Sequence, residues 1–229
     1  MIDDALVIAI LQIIAIDIIL GGDNAIIIAL ACRNLPARQK RLGILWGTAG
    51  AIGLRVLLVF FASTLLTVPS LKLIGGLLLL WIGVKLLAEE SELDEGSIKQ
   101  STSLMEAIRT IIIADFVMSL DNSVAIAAAA KGNMALVVFG LLLSVPIIIG
   151  GSAIILKMMQ RFPIIITIGA ALLGWLAGDL IAHDPLLKDY MATLPAYAGK
   201  VIAGVTALFV VVLGRLLAAR ATKAQASDQ

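Results

Sequence analysis

Asp17-Ile-Ile-Leu-Gly-Gly-Asp23-Asn24-Ala-Ile-Ile-Ile-Ala29 lies inside a long apolar run, and the chain returns to its pattern at Asp115-Phe-Val-Met-Ser-Leu-Asp121-Asn122-Ser-Val-Ala-Ile-Ala127. Both acids recur at one spacing, 98 residues (115 − 17 and 121 − 23). A carboxylate deep in hydrocarbon is costly unless it has a partner, an ion or a proton, so acids in such a setting point to function. Four of them in a duplicated pattern demand counter-charge.

The composition agrees with a hydrocarbon setting. Of 229 residues, 61% are hydrophobic and 14% charged, and the mean hydropathy is +1.07. A soluble core does not need so much apolar sequence, whereas repeated runs of about 20 apolar residues match a bilayer roughly 30 Å thick. The expectation is an all-α, polytopic membrane protein. A net charge of +1 and the lack of a basic block give no reason to expect nucleic acid, and Cys32 alone allows neither an internal disulfide nor a Cys-rich metal site. Met1-Ile2-Asp3-Asp4 is acidic where a signal peptide would be basic, so the first apolar run reads as retained.

Seven spans are expected, at about 5–32, 42–67, 71–88, 104–130, 134–157, 163–182 and 199–219. Ten basic residues fall on one side (Arg33, Arg38, Lys40, Arg41, Lys99, Lys157, Arg161, Arg215, Arg220 and Lys223), against Lys72, Lys131, Lys188 and Lys200 on the other. That bias predicts an outside N-terminus and a cytoplasmic C-terminus. Glu89, Glu90, Glu92, Asp94 and Glu95 form an acidic loop, read as a solvated linker or a weak cation collector, and 221–229 as a polar, disordered tail.

The echo reaches beyond the acids. Pro69, Gly75, Trp81 and Lys85 align with Pro163, Gly169, Trp175 and Asp179 at an offset of 94, and Gly47 aligns with Gly140 at 93. Segments 5–88 and 104–182 therefore read as two three-helix repeats of one transmembrane domain. With an odd number of spans each, they are inverted with respect to one another, an architecture in which transporters place a midplane site. Span 199–219 is extra, and its Gly199, Ala203 and Ala207 form a small face for packing inside the fold or between protomers.

Asp17 and Asp115 fall near midspan, with Asp23 about 9 Å to the cytoplasmic side and Asp121 about 9 Å to the outer side, at six residues of helical rise. Six residues turn an ideal helix roughly 600°, which leaves each pair about 120° apart. Gly21-Gly22 is where the first helix is expected to bend or unwind to bring its acids inward, with Ser119 in the corresponding place. Asn24 and Asn122 add amide oxygens. Such hard donors suit Mn²⁺, Ca²⁺ or Mg²⁺ rather than Cu or Zn. His183 reads as a loop residue and Met118 as packing.

Arg55, near the middle of the second span, is expected to pair with Asp17 or Asp115. Lys85 and Asp179 are read as pathway or charge-balancing residues, Lys85 at the depth of Asp23 and Asp179 at that of Asp121. Interfacial snorkelling is the plainer reading of both.

The duplicated Asp-x5-Asp-Asn, with Trp-x3-Lys on the third span and Gly-Asp on the sixth, resembles the TerC family of integral membrane proteins, in its short bacterial branch within the lysine-exporter superfamily. The resemblance covers about residues 5–219. It implies a non-enzymatic exporter of Mn²⁺ in a bacterial inner membrane, with Asp17, Asp23, Asn24, Asp115, Asp121 and Asn122 as metal ligands or pathway residues. No organic cofactor is implied, and client metalloenzymes or a homodimer are candidate partners. Two other classes compete. A non-transporting scaffold or metal-sensing partner of an envelope complex would need no flux. An intramembrane aspartyl protease would need two carboxylates sharing a proton, but its Gly-x-Gly-Asp signature is missing.

Overall fold

The structure, a computed structural model, describes residues 4–65, 68–88, 103–130 and 133–227. Among these the elements are α1 (Asp4–Gly21), α2 (Asn24–Cys32), α3 (Ala37–Leu65), α4 (Leu71–Ala88), α5 (Leu104–Ala130), α6 (Met134–Arg161) and α7 (Ile164–Ala182), then a 3-10 turn at Pro185–Leu187, α8 (Lys188–Ala192) and α9 (Ala198–Ser227), with no strand. The expected acidic loop lies outside the described residues.

Helix starts follow local chemistry. Ser103 Oγ accepts the N–H of Glu106 ahead of α5 at 3.2 Å, and Asn133 Oδ1 accepts those of Ala135 and Leu136 at 3.0 and 3.3 Å ahead of α6. The expected polar tail is helical as far as Ser227. Its Ala221, Lys223, Ala224, Gln225 and Ala226 are strong helix formers.

Among the described residues five helices are long and apolar enough to cross a membrane, and α5 makes a sixth if its two segments, bent by 65° between Leu104–Leu120 and Asn122–Ala130, count as one span. Seven crossings were expected, but the first of them is divided into α1 and α2 at Gly22-Asp23. The outward faces carry large apolar side chains such as Phe60, Leu142 and Leu208, as a lipid-facing surface requires.

The described chain forms two compact units. The first contains α1, α2, α3, α5 and most of α6, the second α4, α7, α8 and α9. Each therefore draws corresponding helices from both sequence repeats. In the first unit α3 approaches α5 along Gly43, Gly47 and Gly50, where a Cβ on Gly47 would stand 2.6 Å from Ile111 Cδ1. Ile13, Val59, Ile126, Val137 and Leu141 close a core among α1, α3, α5 and α6.

In the second unit α7 and α9 meet through small residues. A Cβ on Gly174 would lie 2.7 Å from Ala207 Cα, and one on Gly178 would lie 2.6 Å from Ala203 Cα. The small face of the last span thus packs inside the fold, at the distance that small-residue helix pairs permit.

Asp184, unmarked by any motif in the sequence, pins this unit. Its carboxylate is 1% exposed and accepts the N–H groups of Ser70 at 3.1 Å, Leu73 at 2.8 Å and Leu186 at 2.8 Å. One carboxylate therefore caps both α4 and the 3-10 turn, and it holds Ser70 in the left-handed region at φ 67°. Burial pushes its pKa up, but the N–H donors of Leu73, Leu186, Ser70 and Lys72 outweigh burial and keep the carboxyl below the usual carboxylate range. A depressed folded-state pKa contributes stability above the unfolded value and loses it as pH falls through the folded one. Asp184→Asn should cost about 1.5–3 kcal/mol at neutral pH. Below about pH 4 the gap between variant and wild type should narrow, as thermal unfolding of detergent-purified protein would measure.

Candidate functional site

The first unit gathers its buried charges around one guanidinium. Arg55, on α3, is 2% exposed, and Asp17 on α1 and Asp115 on α5 are 2% and 5% exposed. Arg55 Nη1 pairs with Asp17 Oδ1, and Arg55 Nη2 pairs with Asp115 Oδ1. Its Nε donates to Ser119 Oγ at 2.8 Å. The fork geometry of Arg is what lets one side chain serve two carboxylates and a hydroxyl at once.

The remaining lone pairs are partly met. Asn24 Nδ2 donates to Asp115 Oδ1 at 2.8 Å, Ser119 Oγ donates to Asp115 Oδ2 at 3.3 Å, and Ser144 Oγ on α6 donates to Asp17 Oδ2. The central acid of each repeat thus converges on one cation. Each acid bonds a different guanidinium nitrogen.

Both motifs interrupt their helices at the equivalent place. The first leaves the helix at Gly22-Asp23, and the second bends by 65° at Asp121. A Cβ on Gly21 would stand 3.1 Å from Asn24 Nδ2 and 3.3 Å from Arg55 Nη1, so a side chain there would crowd the guanidinium. Ser119 occupies the corresponding position 98 residues on and contacts the same guanidinium with its hydroxyl. One repeat makes room for Arg55 and the other binds it.

Asp23 is half-buried in the turn between α1 and α2. Its Oδ1, Asn24 Oδ1 and Thr48 Oγ1 are buried oxygens without a hydrogen-bond partner among the described residues. Asn122 is half-buried just beyond the bend of α5, and the side chain of Asp121 lies outside the described residues. Lys85, in the second unit, lies 5.4 Å from the Trp81 ring centroid as a cation–π pair. Asp179, also there, is half-exposed at 3.6 Å from His183 Nδ1, and His183 is an exposed residue at the end of α7. Among the described residues no three His, Cys, Asp or Glu side chains form a ready metal-binding group. The cluster as it stands is a carboxylate–guanidinium triad with amide and hydroxyl support. Thr48, Ser144 and the approach of Gly21 to the guanidinium were not singled out from sequence. The only signal Ser144 and Thr48 carry there is that of hydroxyls inside apolar runs.

The integral membrane protein TerC family matches residues 2–224. The chain belongs to the TerC family. It is 46% identical over 81% of its length to the uncharacterized membrane protein YjbE of Bacillus subtilis, covering 84% of that protein. It is 24% identical to the uncharacterized membrane protein YkoY of the same organism, over 78% of this chain and 61% of YkoY. It is 26% identical to the UPF0053 inner membrane protein YgdQ of Escherichia coli K12, over 65% of this chain and 69% of that one. No solved structure matches significantly. The chain is accordingly a multi-pass integral membrane protein of a family associated with membrane transport.

Removing one member of a buried ion pair leaves uncompensated charge, at a typical cost of about 3–5 kcal/mol. Arg55→Met should therefore lower the thermal unfolding temperature of this TerC-family protein sharply. Arg55→Met combined with Asp17→Asn and Asp115→Asn should recover most of the loss.

Proposed function

We propose that the chain exports a divalent metal cation, Mn²⁺ foremost, from the cytoplasm across a bacterial inner membrane, with its N-terminus outside. The observation that carries this reading is the meeting of Asp17 and Asp115, one from each repeat, on a single buried guanidinium. Two carboxylates against one guanidinium leave a net negative charge, and a further cation is the natural way to offset it in hydrocarbon.

The donors support the choice of ion. Carboxylate, amide and hydroxyl oxygens surround the cluster, while Cys32 is buried beside Gly43 and His183 lies at the end of α7. Oxygen donors favour Mn²⁺, Ca²⁺ and Mg²⁺ over softer metals. In this reading Arg55 is a tethered counter-ion that holds the carboxylates together while no metal is present and yields to the metal as it passes. The helix interruptions at Gly22-Asp23 and Asp121 put backbone and acid groups beside the route, as broken helices do in other transporters.

Reconstituted protein should carry Mn²⁺ into or out of liposomes. Asp17→Asn and Asp115→Asn should each cut that flux by at least about tenfold, the scale of removing a ligand or its close support. Full Mn²⁺ flux through Asp17→Asn would refute the assignment. A second measurement tests the donor chemistry. Mn²⁺ should raise the thermal unfolding temperature more than Zn²⁺ at equal free concentration, because binding to the folded state alone stabilises it. Preferential protection by Zn²⁺ would call for a His or Cys ligand.

A further inference from the structure

Beside the triad lies a small cavity with room for little more than one water-sized particle, lined by Asn24, Thr48, Arg55 and Asp115 among apolar side chains that include Ala51 and Ile148. Thr48, Ala51, Ile52 and Arg55 follow the i, i+3, i+4, i+7 spacing of one helix face. The cavity thus runs along α3 from Arg55 toward its N-terminal end, which carries Arg38, Lys40 and Arg41. The positive-inside bias marks that end as cytoplasmic, the side from which an exported ion arrives.

Two of the lining groups are unspent. Thr48 is 1% exposed and Asn24 is 4% exposed, yet neither Thr48 Oγ1 nor Asn24 Oδ1 has a hydrogen-bond partner among the described residues. A helical Thr that is buried in apolar surroundings ordinarily bonds back to its own helix. The Asn24 amide group is fixed by its donation to Asp115, so its Oδ1 is the end left over. Asp115 Oδ2, which among the described residues accepts a 3.3 Å bond from Ser119, keeps spare acceptor capacity. A buried polar atom left without a partner costs roughly 1–3 kcal/mol, and two around one cavity are a persistent cost unless something occupies it.

We propose that this cavity is a cation site distinct from the space Arg55 fills between Asp17 and Asp115. Thr48 Oγ1, Asn24 Oδ1 and the Asp115 carboxylate take the incoming divalent cation there before the guanidinium is displaced. The choice of ion rests on the export reading above. The net negative charge of the triad selects a cation over an anion, and the neutral amide and hydroxyl oxygens let the ion shed water without being held too tightly to move on. The duplication singles out the first repeat for this task. At the 93-residue offset of the second and fifth spans, Thr48 corresponds to Leu141 and Arg55 to Ile148, so the position equivalent to Thr48 offers no oxygen, whereas Asn24 and Asp115 have Asn122 and Asp17 as counterparts.

The test is Mn²⁺ binding, read by electron paramagnetic resonance on purified wild type, Thr48→Val, Thr48→Ser and Ala51→Val, together with the concentration dependence of Mn²⁺ flux in liposomes. Thr48→Val keeps the shape and removes the oxygen. It should weaken Mn²⁺ binding about tenfold and raise the KM for flux with little change in kcat, and Thr48→Ser should restore both. Ala51→Val adds methyl groups to the cavity without touching a polar atom and should weaken binding as well, which keeps the test decisive if Thr48→Val folds poorly. Wild-type affinity in Thr48→Val or in Ala51→Val overturns the inference. So does a loss of stability in Thr48→Val with unchanged Mn²⁺ affinity, the signature of a buried water. Flux that depends on Asp17 but not on Thr48 would leave the export reading standing and remove only this site. Mn²⁺ bound through Thr48 in a protein that carries no flux would keep the site and end the export reading.

Discussion

A guanidinium shared by two carboxylates, all three buried, is the constraint on which the first unit depends. Asp17, Arg55 and Asp115 come from α1, α3 and α5, so those helices cannot shift independently without stranding a charge in a medium that does not solvate it. Hydrophobic packing sets how close the helices come, as at Gly47 against Ile111. The ion pairs set which residues face one another. Such a triad adds little net stability over well-packed apolar residues, because desolvation consumes most of the Coulomb gain. Its retention in a bilayer protein points to use.

The duplicated motif is not used symmetrically. Gly21 and Ser119 are equivalent, yet one accommodates Arg55 by having no side chain and the other binds it with a hydroxyl. The first helix is divided outright, with Gly22-Asp23 in a turn, whereas α5 stays helical and bends. Gly22 bears on that difference, since a Cβ there would stand 2.8 Å from the carbonyl oxygen of Ile18. Two equivalent motifs would otherwise have equal surroundings. Arg55, opposite Ile148 in the alignment of repeats, breaks that equality and gives one direction along the helices a different electrostatic character.

The second unit follows a different physical logic. Its helices have few buried charges and rely on close backbone approach, Gly174 and Gly178 of α7 against Ala203 and Ala207 of α9, with Arg215 donating to Thr167 Oγ1 at 2.7 Å. Lys85 and Asp179, aligned in the repeat and opposite in charge, find local partners, Lys85 over Trp81 and Asp179 beside His183. The asymmetry between these two positions is thus expressed as separate local pairs within the unit.

Hydropathy is additive along a chain, and for that reason the sequence by itself determined the all-helical membrane class, while the duplicated motif carried the resemblance to the family. The duplicated Asp-x5-Asp-Asn and the Gly21-Gly22 pair also marked where a helix would break. Tertiary structure alone decided which residues meet. Nothing local says that one arginine on α3 serves both central acids, that Ser144 from α6 completes Asp17, or that Thr48 shares a cavity with Asn24 and Asp115. Asp184 was equally silent, because a carboxylate in a loop looks like any solvated acid until three N–H groups from two separate segments are seen to converge on it. Contacts of this kind depend on helix rotation and approach, which are set by the packing of side chains far apart in the chain and leave no periodic trace in it.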